Sequence, residues 1–584
     1  ILALQPCVTS CTCSCLIEGI ASSSQTMQRL ISQTASRGVS LVRRLEAPGY
    51  LGTLTNNVTL QRALPDVRSG RPLPNTQRAV HTWNSSPPLT KIVATIGPVS
   101  EDFSTLQKVV DAGMRVMRVN FSHATFEEAE LRITNLRACK GKHSKALGGD
   151  RNLRAILLDT QGPEIRTGNI KGGGKIQLNK GATIEFTTNP SFREEGTAER
   201  LFVNYPGLTT SVDVGSAVLL DDGLVCVRVT GVTADTVTGL VENRRVEPGD
   251  LKSRRGVNLP GAEVNLPALS EKDKIDINFG IERDVDFVAA SFVRKGSDVN
   301  SIRHFIAETH RKFWPESHPK PLIISKIENM EAVDNFQEIL RLSDGIMVAR
   351  GDLGVELPAE QITNLQKMMV SRACKQAGKP VIVATQMLES MQSNPRPTRA
   401  EVSDVTNAVF DGADAVMLSG ESAQGKYPVE SVYMMRRIIN EAELWKKAHP
   451  ELTLARDVEI TATSDAQGIA SATVHAADFL KAKLIIVLVG EGDGGDLARL
   501  VVKFRPDIPV VCACPSEKVG RQLIIHRGLH PLVMNHDGAA RLDPDKAIGA
   551  ATTMGFCRPT DVVVAVYFDQ KASGQQPTLR IITV

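Results

Sequence analysis

The 584-residue sequence lacks the two features that would direct it to a membrane or to nucleic acid. No apolar run approaches the roughly 20 residues needed to cross a bilayer. The first 90 residues hold eight arginines, no lysine and three acids, so the rest of the chain carries 60 basic and 62 acidic side chains. Because that larger part has no basic surplus, we expect neither a nucleic-acid partner nor a membrane partner.

The chain also lacks the regularly spaced cysteines of a disulfide-stapled secreted domain. Four of its ten cysteines crowd near the amino terminus (Cys7, Cys11, Cys13 and Cys15), and six are scattered between Cys139 and Cys557. Scattered single cysteines are typical of a reducing compartment. The amino-terminal cluster has metal-like spacing, but no histidine or second cluster supports a metal site there.

Residues 1–88 form an amino-terminal extension that we exclude from the fold. After Met27 the sequence is rich in arginine and serine, and no acid occurs before Glu46. That composition predicts a mitochondrial transit peptide followed by a disordered linker. The alternative is a disordered tail without an address, which would leave the protein in the cytoplasm.

Strand-length apolar runs alternate with helical periodicity from residue 91 onward, in a chain too long for a single core. Strands that alternate with helices predict parallel βαβ units, and eight of them suggest a closed (β/α)8 TIM barrel. The eight predicted strands are residues 91–97, 115–122, 154–160, 286–292, 321–328, 345–353, 380–387 and 415–421.

Two further units interrupt and follow the barrel. Between the third and fourth strands, short alternating runs separated by glycine-rich turns predict a small inserted β-barrel, placed to close over a substrate as a lid. From about residue 446, alternating helices and strands predict an open α/β domain with a regulatory or oligomerisation role. The predicted domains are therefore 89–161 and 263–445 for the barrel, 162–262 for the insert and 446–584 for the carboxyl-terminal domain.

Charged residues end two of the apolar runs in the middle of the chain. Lys326 and Glu328 close one run, and Asp352 closes the next. The carboxyl ends of barrel strands are where this fold places its chemistry. Two carboxylates beside a lysine suggest a divalent metal next to a cation, which suits a substrate with phosphoryl oxygens.

Several motifs in register closely resemble those of the pyruvate kinase family. They are TKIVATIGP at 90–98, NFSH at 120–123, LDTQGPEIRTG at 158–168, GVNLPG at 256–261, SKIEN at 325–329, ARGDLG at 349–354, ATQMLESM at 384–391 and MLSGE at 417–421. The resemblance covers residues 89–584. It implies transfer of the phosphoryl group of phosphoenolpyruvate to ADP, giving pyruvate and ATP.

The resemblance also implies a role for each site residue. Glu328 and Asp352 would bind Mg2+ (or Mn2+), and Lys326 would neutralise the transferring phosphoryl group and the enolate. Arg118 would contact phosphate. The substrate carboxylate would lie against Gly351, Asp352 and Thr385, and the proton would reach the enolate carbon near Thr385 through a relay that includes Ser419 and Glu421.

A monovalent-cation site and a nucleotide site follow from the same motifs. Four oxygen-bearing residues match the family's K+ site: Asn120, Ser122, Asp159 and Thr160. Glu164 occupies the position where an acid accompanies K+ dependence, so we expect K+ activation. The nucleotide-contacting positions are Pro98, Arg118, Asn120, His123 and Arg255.

The chain departs from the family pattern in several places, and two other functions remain open at this point. Gln161 replaces a common lysine, and residues 490–496 have acids where fructose 1,6-bisphosphate-activated members hold phosphate, so we expect no activation by that compound. A homotetramer is implied by the resemblance. The alternatives are an Mg-dependent lyase acting on C–C bonds of phosphoenolpyruvate or pyruvate, and a catalytically silent regulatory paralogue.

Overall fold

Eight parallel strands close into a barrel in the computed structural model, which describes residues 87–141, 153–244, 250–449, 464–490, 494–534, 542–571 and 574–584. The barrel strands are β1 (Lys91–Thr95), β2 (Val116–Asn120), β3 (Ala155–Asp159), β12 (Phe287–Ala290), β13 (Leu322–Ile327), β14 (Gly345–Ala349), β15 (Val381–Ala384) and β16 (Ala415–Leu418). All eight predicted strands are present, and the predicted barrel is confirmed.

Helices pack around the barrel, and short ones directly follow the carboxyl ends of β13, β14 and β16. They are Phe103–Ala112, Phe126–Ala138, Glu271–Glu282, Gly296–Phe313, Met330–Asp334, Phe336–Leu342, Arg350–Glu356, Ala359–Val370, Arg399–Asp411, Gly420–Ala423 and Pro428–Ala448, with a π-helical turn at Ser371–Ala377 and a 3-10 turn at Glu389–Gln392. Three of them begin with reciprocal capping boxes, Thr125 with Glu128, Ser270 with Asp273 and Thr398 with Glu401. Such caps satisfy amides that a helix leaves free at its start.

Two predicted strands run into helices. The strand predicted at 415–421 ends at Leu418, and residues 420 and 421 belong to the helix Gly420–Ala423. The apolar run predicted as a strand through residue 353 stops at Ala349, and Arg350–Glu356 is a helix. Gly351 and Asp352 therefore lie in the first turn of a helix rather than at the end of a strand. The charged sequence after Ala349 no longer fits a strand buried on both faces.

The insert between β3 and β12 is an all-β unit. Its strands are β4 (Lys175–Gln177), β5 (Thr183–Thr187), β6 (Arg200–Phe202), β7 (Ala217–Leu220), β8 (Val225–Val232), β9 (Thr236–Arg244), β10 (Asp250–Lys252) and β11 (Val257–Asn258), with short helical turns at Pro190–Phe192 and Leu208–Ser211. Six strands pair in the order β11-β7-β8-β9-β5-β6. The backbone around Arg166 and Thr167 bridges Gly256 on one edge and Val203 on the other, which closes the sheet into a small barrel.

The carboxyl-terminal domain is a five-stranded sheet covered by helices on both faces. Its strands are β17 (Leu484–Leu488), β18 (Val510–Cys514), β19 (Leu529–Val533), β20 (Val562–Lys571) and β21 (Gly574–Thr583), in the order β19-β18-β17-β20-β21. Its helices are Asp465–Phe479, Asp496–Lys503, Glu517–Leu523 and Pro544–Thr553. The last strand is antiparallel to β20, and the other neighbours are parallel.

This domain seals the amino-terminal end of the barrel. Ile524 and Ile525 are buried in the same core cluster as the inward-facing residues of the barrel strands. Around them, Lys518 and Arg521 form ion pairs with Asp284 and Asp286, which precede β12. Apolar burial and buried charge pairs together join the two domains.

Within the described residues, no helix is long and apolar enough to cross a membrane. The thiols of Cys139, Cys226, Cys512, Cys514 and Cys557 are free. The predicted transit peptide, the amino-terminal cysteine cluster and residues 491–493 lie outside the described residues.

Candidate active site

A cavity of about 760 Å³ opens where the carboxyl ends of the barrel strands face the insert. Barrel residues line one side, among them Arg118, Asn120, Ser122, His123, Ser291, Lys326, Glu328 and Asp352. The insert and its connecting segments line the other side with residues that include Glu164, Asp221, Asp222 and Arg255. Side chains more than a hundred residues apart in sequence therefore converge on one polar cleft.

Lys326 lies in the middle of a buried polar network. Its ammonium nitrogen donates to Ser291 Oγ at 2.7 Å and lies 2.7 Å from Glu328 Oε1 and 3.3 Å from Asp159 Oδ1. Burial alone would lower the pKa of Lys326, but the carboxylates of Asp159, Glu328 and Asp352 outweigh it and raise that pKa. Lys326 is therefore a fixed positive charge in the cleft.

Arg118, on β2, is held by residues of the two strands beside it, β3 and β1. Its Nε donates to Asp159 Oδ2 at 2.6 Å and its Nη1 to Thr95 Oγ1 at 2.9 Å. Asp159 is completely buried, yet the charges of Lys326 and Arg118 overcome the effect of burial and lower its pKa. One ionised carboxylate thus orients two cations of the cleft, Lys326 and Arg118.

Glu328 and Asp352 are the paired carboxylates that the sequence predicted. Burial raises the pKa of Glu328, and repulsion from Asp352 adds to this rise. Burial also raises the pKa of Asp352, by more than the charge of Lys326 lowers it. A cation between two such groups would remove the cost of ionising them, so the pair fits a hard divalent ion that takes its other ligands from substrate or water.

Among the described residues, no three His, Cys, Asp or Glu side chains are arranged as a preformed metal cluster. A site with two protein carboxylates agrees with this, because Mg2+ commonly binds through one or two carboxylates plus phosphate oxygens.

Thr385 stands beside the start of the Arg350–Glu356 helix. Its hydroxyl accepts a hydrogen bond from the Gly351 amide at 2.7 Å and donates to the Ala384 carbonyl at 2.6 Å. Both Thr385 and Gln386 have left-handed backbone angles, with φ of 68° and 53°. Non-glycine residues hold this conformation only where their surroundings impose it.

Ser419 and Glu421 lie outside the lining of the cleft. The Glu421 carboxylate is fully buried and accepts from the amides of Leu388, at 3.0 Å, and Ser419, at 2.7 Å. These bonds tie the segments after β15 and β16 together. The predicted part of both residues in a proton relay stays a prediction.

The four predicted K+ ligands gather at neighbouring strand ends. Asn120 pairs with Asp159 in the register of β2 and β3, and Thr160 follows directly. Asn120 and Ser122 line the cleft, whereas Asp159 and Thr160 lie behind its lining. Asp159 is already engaged by Arg118 and Lys326, so a bound cation would share that carboxylate with both. An amide, a carboxylate and two hydroxyls are the hard oxygen donors that such an ion takes.

Glu164 lines the cleft and forms an ion pair with Arg166. Gln161, which replaces a lysine of the family pattern, lies within 3.5 Å of the same carboxylate.

The residues predicted to contact the nucleotide do not all line the cleft. Arg118, Asn120, His123 and Arg255 line the cleft, and Arg255 Nη1 lies 3.3 Å from Asp221 Oδ1. Pro98 is exposed on the loop after β1 and is absent from the lining.

Two features of the site were missed in the sequence. Ser291 orients Lys326 and also donates to the Thr160 carbonyl at 2.7 Å, and the amide of Phe292 donates to Glu328 Oε2 at 2.6 Å. Their position directly after β12, at the catalytic end of a barrel strand, was the available indication. The second feature is the ion pair of Arg350 with Asp404, which lies outside the lining of the cleft and has no local sequence pattern.

Comparison with known proteins agrees with this geometry. The family model described as "Pyruvate kinase, barrel domain" matches residues 88–432, and "Pyruvate kinase, alpha/beta domain" matches residues 467–582. A pyruvate kinase of Staphylococcus epidermidis is 44% identical over 478 residues, 81% of this chain and 77% of that protein. Pyruvate kinase PKLR of Homo sapiens is 43% identical over 511 residues, 85% of each chain.

A solved structure leads to the same family. The crystal structure of a pyruvate kinase from Cryptosporidium parvum superposes with a TM-score of 0.77 and 37% identity, covering 86% of this chain and 97% of the other. These relatives give no support to the lyase or to the silent paralogue. The chain belongs to the pyruvate kinase family and has the function of that family.

Proposed function

We propose that this chain moves the phosphoryl group of phosphoenolpyruvate to ADP in the cleft around Lys326. The observation that carries the proposal is the Lys326 ammonium, which is held by Ser291 and flanked by Asp159 and Glu328 at the carboxyl ends of the barrel strands. A preorganised charge in a buried site stabilises charge that develops during reaction far better than one in water.

Arg118 and Lys326 both stabilise negative charge on the phosphoryl group as it is transferred. The bond between phosphorus and the enol oxygen breaks, a bond to the terminal phosphate oxygen of ADP forms, and the electron pair stays on the enol oxygen. Both cations are fixed by Asp159, so they need no reorganisation as this charge moves. The enolate then takes a proton at carbon, delivered near Thr385 through water, and becomes pyruvate.

Glu328 and Asp352 are the residues that would hold Mg2+ or Mn2+. When bound, the ion would neutralise phosphoryl and enolate oxygens and allow both carboxylates to ionise. Gly351, Asp352 and Thr385 would hold the substrate carboxylate, supported by the hydrogen bond from the Gly351 amide to the Thr385 hydroxyl.

K+ is the proposed second ion. Asn120, Ser122, Asp159 and Thr160 would supply its oxygens, and Glu164 would make the enzyme dependent on it. His123 and Arg255 are the proposed nucleotide contacts within the cleft, with the insert, residues 162–262, as the lid above them.

The cellular location and the oligomeric state of the protein are also proposals. The arginine- and serine-rich composition after Met27 supports import into mitochondria, with the cytoplasm as the alternative. Family resemblance supports a homotetramer and the domain limits given above. Acids in residues 490–496 support the absence of activation by fructose 1,6-bisphosphate.

The test is pyruvate formation by the purified full-length protein from phosphoenolpyruvate, ADP and Mg2+, with and without K+. We expect fast turnover that needs both ions. Turnover without K+ would reject the role of Glu164 and keep the enzyme. A folded protein that makes no pyruvate under either condition would overturn the proposal.

A further inference from the structure

Arg350 forms an unusually complete set of contacts outside the cleft. Its Nη1 and Nη2 lie 2.6 and 2.8 Å from the two carboxylate oxygens of Asp404, which is on the Arg399–Asp411 helix. The same guanidinium donates to the Thr385 carbonyl at 2.7 Å and to the Ala384 carbonyl at 3.3 Å. Two-pronged pairing of this kind fixes direction as well as distance.

The carbonyls that Arg350 holds belong to the strained turn. Thr385 and the next residue both have positive φ, a conformation that relaxes unless the surroundings enforce it. Arg350 is the residue immediately before Gly351, whose amide donates to the Thr385 hydroxyl. The Arg350 guanidinium therefore binds the carbonyls of the turn, and the amide of the next residue, Gly351, binds the Thr385 hydroxyl.

Asp404 determines where that guanidinium lies. The Arg350 side chain is 12% exposed and that of Asp404 is 32% exposed, and neither lines the cleft. Without the carboxylate, the guanidinium would keep only Gln366 Oε1 at 3.2 Å and Met387 Sδ at 2.8 Å as side-chain partners, and it would be held less firmly against the Thr385 carbonyl.

We propose that Asp404 is a positioning residue for the proton-transfer half of the reaction. Through Arg350 it holds the Thr385 turn in its left-handed form and so fixes the Thr385 hydroxyl beside Gly351 and Asp352. This inference rests on the proposed function of Thr385 in proton delivery.

The experiment compares Asp404→Asn with Glu242→Gln, a matched control that breaks another two-pronged, partly exposed arginine pair, Arg228 with Glu242, on the insert. Two rates are measured: pyruvate formation, and exchange of pyruvate methyl hydrogens for deuterium in D2O with MgATP and K+. Exchange reports the proton step without complete turnover. We expect Asp404→Asn to slow exchange about tenfold or more and to raise the KM for phosphoenolpyruvate, while the control changes each by less than about twofold.

A double-mutant comparison separates positioning from general damage. In a Thr385→Ala background we expect Asp404→Asn to have little further effect on exchange, because the hydroxyl that it positions is gone. Equal fold-losses in both backgrounds would overturn the inference, as would an Asp404→Asn protein that matches the control.

If Asp404→Asn does not fold, as judged by circular dichroism, Asp404→Glu takes its place in the same comparison. The carboxylate is then kept but shifted, and we expect a smaller loss of exchange that again disappears in the Thr385→Ala background. If the wild-type protein itself formed no pyruvate, the proposed function would be wrong. A difference confined to the variants tests only the role of Asp404.

Discussion

The ammonium nitrogen of Lys326 lies 2.7 Å from the hydroxyl oxygen of Ser291, which in turn donates to the Thr160 carbonyl. Ser291 is 3% exposed, so the hydrogen bond from Ser291 to the Thr160 carbonyl is largely shielded from water while the Lys326 ammonium faces the cleft. A lysine side chain has four rotatable bonds, and the short serine below it removes much of that freedom. The charge and its direction are both set before a substrate arrives.

Replacement of that charge gives the first prediction. We expect Lys326→Met to lower kcat by about a hundredfold or more, because loss of one preorganised charge costs roughly 3 kcal/mol or more. The measurement is steady-state pyruvate formation, with circular dichroism to establish that the variant is folded. A near-normal rate in a folded Lys326→Met protein would remove Lys326 from the mechanism.

Ser291→Ala tests the orientation of the same lysine. A hydrogen bond to a charged group contributes about 1.5–3 kcal/mol, so we expect kcat to fall roughly ten- to a hundredfold with the charge intact. Ser301→Ala is the control, since its hydroxyl donates to the Ser297 carbonyl on an exposed helix face. Equal rates in the two variants would mean that Lys326 needs no support from Ser291.

The third prediction concerns K+. In Glu164→Lys we expect substantial turnover in tetramethylammonium, because a side-chain cation in the cleft replaces part of the charge of the ion. The wild-type protein should turn over far more slowly in tetramethylammonium than in K+ at equal ionic strength. Glu195→Lys, at an exposed pair with Lys171, makes the same charge change outside the cleft and should keep the wild-type pattern.

The junction of barrel and carboxyl-terminal domain gives a stability prediction. Asp286 accepts from the Ile156 amide at 2.8 Å and from Arg521 Nε at 2.9 Å, and Lys518 beside it is 3% exposed. Asp286→Ala removes the fully buried one of the two carboxylates that pair with Lys518 and Arg521 and also the acceptor of the Ile156 amide, so we expect a loss of about 3 kcal/mol even though Asp284 remains. Urea unfolding measures this.

The control for Asp286→Ala is Glu316→Gln, which breaks an exposed pair with Lys320. Exposed pairs contribute about 0–1 kcal/mol. If both variants unfold at the same urea concentration, the buried pairs at this junction do not stabilise the protein.

A pH dependence of stability follows from His526, which lies at the same junction. Burial lowers the pKa of His526 from 6.5 to about 4. The unfolded chain therefore binds a proton more readily than the folded one between these values, and stability falls as the pH falls from 6.5 to 4. The full effect is about 3 kcal/mol, since one pKa unit corresponds to 1.36 kcal/mol.

Urea unfolding at several pH values between 7.5 and 4.5 measures this effect. His526→Gln keeps a polar side chain that does not titrate, so its stability should vary less over this range. A variant with the same slope as the wild-type protein would assign the pH dependence to other groups.

Much of the fold could be predicted from the sequence because strands buried on both faces are nearly continuous apolar runs. All eight barrel strands were located in this way, with ends that differ by a few residues. In the carboxyl-terminal domain, β19 (Leu529–Val533) contains Pro531, a residue that is normally excluded from the interior of a sheet. β19 is an edge strand, where a residue without an amide hydrogen is tolerated.

The site was predictable only where chemistry is concentrated in a motif. Lys326, Glu328 and Asp352 stand out because charged residues at strand ends are conspicuous. Ser291 and Asp404 do not, since a lone serine after a strand and a lone aspartate within a helix are common. Their importance depends on contacts across 35 and 54 residues of sequence, which no local pattern encodes.

Ile524 and Ile525, which seal the barrel, come about a hundred residues after its last strand. A chain emerging from the ribosome therefore completes all eight barrel strands well before it synthesises the two isoleucines that close the amino-terminal end of the barrel. During that interval the apolar lower end stands open to water and to chaperones. If carboxyl-terminal domains are exchanged between relatives, the incoming domain must bring apolar side chains that fit this end of the barrel. Otherwise water will enter the barrel core.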